Sequence, residues 1–204
     1  MQQPAHLALV GRAFSIGGRR IAVSKYLGEG GFSFVYLAAD EVSGEQLVLK
    51  RMLAQTPEMQ TLVKNEIQMM ERLKHPKVVQ YLGHESNRSA SGTEHFVLME
   101  FCAGSWLCAS SCDANLCNTG GHLLDIMKGM GSQRFSESQI LRILQDLCAA
   151  LSYLHHMEPP VAHRDIKLEN LLRSSHQVVR APEITASNTR SDCRVTSSAI
   201  SGHA

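Results

Sequence analysis

The apolar pattern of this chain changes its period near residue 100, and that change restricts the fold more than any overall composition. Before it, apolar residues fall in short runs: Ile21-Ala22-Val23, Phe34-Val35-Tyr36-Leu37-Ala38, Gln46-Leu47-Val48-Leu49-Lys50, Val78-Val79-Gln80-Tyr81-Leu82 and Phe96-Val97-Leu98-Met99. Such runs, rich in β-branched and aromatic residues and broken by turns such as Ser43-Gly44, read as strands. One segment departs from this. From Glu58 to Leu73, Met59, Val63, Met70 and Leu73 recur at helical spacing along one face, with Leu62 and Ile67 beside them. After residue 121 the helical period takes over. Ser136 and Gln139 form a capping-box pair, and Ile140, Ile143, Leu144, Leu147, Leu151 and Leu154 follow until Pro159-Pro160 ends the helix. Five strands with one helix after the third, then helices alone, predict an α+β fold with a five-stranded antiparallel sheet.

Length and charge exclude several function classes. The 204 residues suffice for one domain of ordinary size with a buried core. A formal charge of +1 is too balanced to argue for a nucleic-acid or membrane-surface partner. The opening Met1-Gln2-Gln3-Pro4 lacks a basic segment followed by an apolar core, and no apolar run reaches 18 residues, so neither a signal peptide nor a transmembrane segment is expected. Six cysteines without a secretory signal read as reduced thiols in a cytoplasmic protein. Cys102, Cys108, Cys112 and Cys117 crowd together but lack paired Cys-x-x-Cys spacing, which favours free thiols over zinc.

Three stretches carry chemistry. Gly28-Glu29-Gly30-Gly31-Phe32-Ser33-Phe34-Val35 is a glycine-rich turn whose small residues would let backbone amides approach phosphates closely. It precedes a strand rather than a helix, which disfavours a dinucleotide fold. Lys50 ends an apolar strand, where a plain surface lysine is the simplest reading. Glu66 argues for more, because it lies between Val63 and Met70 in the helix's apolar stripe. An ionised carboxylate there is costly without a cation, and Lys50 is the natural partner; an exposed place at the stripe's edge is the alternative. The third stretch is the octet His163-Arg164-Asp165-Ile166-Lys167-Leu168-Glu169-Asn170, with five spaced polar positions that chance does not readily supply.

In this order and spacing the stretches resemble a protein kinase, with the octet matching the kinase catalytic loop. The resemblance covers roughly residues 9–104 and 121–173. Glu29-Gly30-Gly31-Phe32, Leu49-Lys50-Arg51-Met52, Glu66-Ile67-Gln68-Met69-Met70 and Leu98-Met99-Glu100-Phe101-Cys102 look like the Numb-associated kinases, as does the lead-in Val10-Gly11-Arg12-Ala13-Phe14. It implies a Ser/Thr kinase using ATP and Mg2+, with a protein substrate that in this group includes clathrin-adaptor subunits, and a cytoplasmic place with peripheral association with vesicles. It implies that Asp165 orients the substrate hydroxyl, that Lys167 sits near the transferred phosphoryl, and that Asn170 holds the metal. Gly28, Gly30, Ser33 and Val35 would then cover the phosphates, and Lys50, supported by Glu66, would contact them. Met99 would wall the adenine pocket, with the backbone of Glu100 and Cys102 bonding the adenine edge.

Against that pattern two departures stand out. Cys102-Ala103-Gly104 would join naturally to Gly121-His122-Leu123-Leu124-Asp125, so residues 105–120 read as an unpatterned insertion, either a loop insertion or, the favoured reading, a translated intron. The metal-binding Asp-Phe-Gly is missing after Asn170. Arg180-Ala181-Pro182-Glu183, which resembles the kinase Ala-Pro-Glu, lies too close to that residue for an intervening activation segment, so either a segment has been skipped or, the favoured reading, the match is chance. The expected organisation is a leader (1–20), a kinase N-lobe and hinge (21–104), the insertion (105–120), a partial helical C-lobe with the catalytic loop (121–173) and a disordered tail (174–204), about a third of it Ser or Thr. Activity of such a truncated kinase is expected to be very low. The alternatives are a non-catalytic fragment that binds nucleotide or a partner as a regulatory isoform, and a defective gene model.

Overall fold

A computed structural model describes residues 9–30, 33–89, 92–102, 122–163, 165–173 and 179–180. Residues 105–120, the Ala-Pro-Glu stretch and most of the expected tail lie outside the described residues.

The first half forms one antiparallel sheet of β1 (Ala13–Ile16), β2 (Arg19–Gly30), β3 (Ser33–Asp40), β4 (Gln46–Ala54), β5 (Tyr81–Ser89) and β6 (Gly92–Glu100), in the order β1-β2-β3-β4-β6-β5. The sheet has one strand more than expected. Strand β1 lies within the stretch read as a leader and turns into β2 through Gly17-Gly18, both at positive φ (57° and 79°). Two such residues are what a two-residue hairpin requires, so that glycine pair was the available signal. The strand expected at 78–82 begins instead at Tyr81. Bulges in β2 between Val23 and Lys25 and between Tyr26 and Gly28 add twist, and the sheet curls until β1 approaches β5. Inside the curl, Ile16, Ile21, Tyr36, Leu47, Leu49, Phe96 and Leu98 form a dry core.

Helix α1 (Pro57–Arg72) covers the other face of the sheet. Thr56 caps it by accepting from the Met59 amide (3.3 Å), and Pro57 suits its first turn. Val63, Ile67 and Met70 pack on Met52, Ala54, Val97 and Met99, each such burial worth about 1.5–3 kcal/mol. Leu62, placed beside the stripe by spacing, is 44% exposed instead, because the buried arc is narrower than the apolar one.

The second half contains α2 (Leu123–Gly129) and α3 (Glu137–His155). Both halves of the capping box form, the Gln139 amide donating to Ser136 Oγ (3.3 Å) and the Ser136 amide to Gln139 Oε1 (2.8 Å). The apolar stripe of α3 divides between environments. Ala150 and Leu154 pack on Met69 of α1 and on Leu73 just after it, and Ile143 and Leu147 on Leu123 and Leu171, while Ile140 and Leu144 are about half exposed. Polar contacts join the halves as well. Tyr153 stacks on His75 and its hydroxyl accepts from the Lys74 amide (2.9 Å), and Lys77 pairs with Asp146 (2.5 Å). A 3-10 turn (Leu168–Asn170) and a short pair, β7 (Leu172–Arg173) and β8 (Val179–Arg180), complete the described fold.

Candidate active site

Strand register builds the first part of the site. Gly28 pairs with Val35 and Val35 with Lys50, so three residues nominated separately from sequence lie in one row across three strands, which Val97 continues onto β6. Neighbours in such a row share a face of the sheet, and this face looks toward α1. Lys50 Nζ meets Glu66 Oε1 at 2.7 Å, with side-chain exposures of only 9% and 12%. The apolar stripe thus holds its carboxylate against the cation that sequence reasoning chose for it.

The glycine hairpin follows from the same strands. Ser33 Oγ donates to the Gly30 carbonyl (3.2 Å), closing the two strands beside the tip. Gly28 is not at positive φ, and a methyl group there would meet nothing within 4 Å. Neither backbone conformation nor packing in the chain itself therefore requires glycine at 28, whereas close approach by a phosphate would. A cavity of about 550 Å³ lies beside the hairpin, lined by Gly30 and Ser33 together with Leu53, Gln55 and Met59. It is on the β4–α1 side and includes neither Lys50 nor Met99.

At the end of β6, Met99 is buried among Val97, Ile67 and Met70. The Glu100 amide donates to the Gln80 carbonyl (3.0 Å), and Glu100 Oε1 accepts from the Gln80 amide (2.8 Å). The Glu100 amide is thus committed within the chain rather than to the adenine role implied for its backbone. Cys102 is buried, and that burial pushes its thiol up to about 11, so it stays protonated at neutral pH.

A second group gathers at the loop after α3. Asp165 Oδ2 lies 3.1 Å from Lys167 Nζ and accepts from Asn170 Nδ2 at 2.7 Å. Asn170 Nδ2 also donates to the Asp165 carbonyl (2.9 Å). Bonds from Lys167 and then Asn170 hold the Asp165 carboxyl below its usual range, so it is ionised and able to accept a proton-bearing hydroxyl. With its nitrogen committed, Asn170 keeps its amide oxygen for a hard cation, which takes oxygen ligands. No cluster of three or more His, Cys, Asp or Glu suited to a metal occurs among the described residues.

The family model of the protein kinase domain matches residues 21–185. The chain belongs to the protein kinase family. It is 38% identical over 171 residues to a probable serine/threonine-protein kinase of Dictyostelium discoideum, covering 82% of this chain and 19% of that protein. It is 37% identical over 165 residues to the serine/threonine-protein kinase ppk30 of Schizosaccharomyces pombe, covering 79% and 16% respectively. The chain thus spans less than a fifth of the length of these relatives. Family membership implies ATP and a divalent metal in general, and the α+β expectation agrees with it.

Within the kinase domain the nominated residues fall into two clusters: the β2–β3–β4–α1 row, continued by β6, and the Asp165–Lys167–Asn170 triangle. One positioning residue was missed. His163 is buried, and its Nδ1 accepts from the Asp165 amide at 3.4 Å. Its place at the head of the octet, two residues after the buried Val161, was the sequence signal for it.

Proposed function

We propose that this kinase domain binds MgATP and transfers its γ-phosphate to serine or threonine hydroxyls of a protein substrate. The observation that carries this reading is the buried Lys50–Glu66 pair in register with Val35 and the uncrowded Gly28. Bound MgATP supplies the phosphoryl group and the ion that neutralises its developing charge. Gly28, Gly30 and Ser33 present backbone amides to the phosphates, and Val35 and Met99 shape the apolar nucleoside site. Lys50, oriented by Glu66, binds the phosphates. Asp165 accepts the hydrogen bond of the attacking hydroxyl, Lys167 screens the transferred phosphoryl, and the Asn170 oxygen ligates Mg2+.

The resemblance of the loop, strand, helix and hinge sequences to those of Numb-associated kinases supports a narrower reading, with clathrin-adaptor subunits as substrates and action at vesicle surfaces. No helix of the described residues is long and apolar enough to cross a membrane. A second reading, nucleotide binding with little turnover, is favoured by the lack of Asp-Phe-Gly in residues 171–204, since that aspartate also holds metal in kinases.

Phosphate transfer to a mixed Ser/Thr peptide pool tests the catalytic assignment. Slow transfer is expected, lost in Asp165→Asn while nucleotide binding persists. Transfer that survives the substitution would remove Asp165 from its role. Binding without detectable transfer in either protein would establish the second reading.

A further inference from the structure

We infer that the gap where β1 and β5 diverge is a binding site for an arginine side chain of an extended partner peptide. The two strands are the edges of the sheet, brought together by its curl. At Gly17 and Gly83 they nearly touch, for a methyl group on Gly17 would lie 3.6 Å from the Leu82 carbonyl. From there they separate and open a cavity of about 320 Å³ lined by Phe14, Ser15, Ile16, Glu85, Asn87 and Phe96.

The lining selects its ligand. Phe14, half-buried, stacks on the core residue Phe96 with ring centres 5.1 Å apart, and its exposed part supplies the aromatic surface at the cavity. Glu85 pairs in register with Phe96, so its carboxylate projects from the same face at the open edge. Arg51, the cation on the neighbouring part of this face, is already committed to Glu94. An anion at the cavity would be repelled by Glu85. A purely apolar group would strip water from that carboxylate without replacing its hydrogen bonds. A guanidinium satisfies both halves: its weakly hydrated plane stacks on aromatic rings, and its N–H fork bonds carboxylate. Asn87 and Ser15 offer oxygens for the remaining donors. An extended peptide suits the position, since edge strands present backbone groups able to pair with another strand.

The peptide acetyl-Thr-Val-Arg-Val-Thr-amide and its citrulline counterpart, isosteric but neutral, test this by amide chemical-shift titration of the full chain. The arginine peptide should shift Ser15, Glu85, Asn87 and Phe96 saturably. Affinity should fall at least about tenfold with citrulline, and similarly in Glu85→Gln, an exposed change that leaves the fold intact. Phe14→Ala should weaken the arginine peptide independently of charge. Absence of saturable shifts, equal binding of citrulline, or unchanged affinity in Glu85→Gln would overturn the proposal.

Discussion

Lys50 and Glu66 show what a nearly dry ion pair requires. Each charge would be costly alone at 9% and 12% side-chain exposure, and at 2.7 Å each offsets the other's lost hydration. A double-mutant cycle with Lys50→Met and Glu66→Leu, read by urea denaturation, should return a coupling of about 0.5–3 kcal/mol. Additive effects would show the contact to be incidental. His95 is the opposite case, a buried ring whose two nitrogens find no hydrogen-bond partner among the described residues. Burial lowers its pKa from the ordinary 6.5, and His84 from β5 and Lys64 from α1 push the same way. The unfolded chain therefore takes up a proton that the folded chain refuses. Stability should be full above pH 6.5, fall as pH drops below it, and level off beneath the lower folded value. Urea midpoints across mildly acidic pH should reveal this fall, and His95→Phe should flatten it; an equal slope in the variant would assign the loss to other groups.

Hairpins and helix ends determine how the strands meet. Gly92, where β6 begins, has φ of 132°, and a methyl group there would lie 2.5 Å from the Ala54 carbonyl. Gly44, in the β3–β4 turn, also has positive φ (72°) but would meet nothing within 4 Å. Gly44→Ala should cost only the left-handed backbone penalty, about 1–2 kcal/mol. Gly92→Ala should cost clearly more, because backbone must move; thermal melts that rank the two the other way would contradict the packing. At this scale much was legible in the chain. Glu66 stood out because a carboxylate interrupts an apolar stripe, and the capping box at Ser136 follows from two residues three apart. Strand β1 escaped because its four residues lack a long alternating run, and β5 began late because its signal residues Val78 and Val79 serve the junction with α3 and the α1 cluster instead.

The molecule joins its two halves through Met69, Leu73 and Val78 on one side and Ala150, Leu154 and Val161 on the other. This contact anchors α1, whose Glu66 orients Lys50, to α3, which leads into the loop carrying Asp165. Such long-range pairing is not written in any local period, since Met69 and Met70 look alike in sequence yet face α3 and the sheet respectively. Motif spacing could nominate Gly28, Val35, Lys50 and Asp165, but only register could align the first three. The central claim is that this alignment forms a nucleotide site, and calorimetric titration of MgATP into the chain and its Lys50→Met variant tests it most directly. Single-site binding weakened roughly tenfold or more in the variant is predicted, the loss expected for a charged hydrogen bond. No binding to the unaltered chain, or equal binding to both, would contradict it.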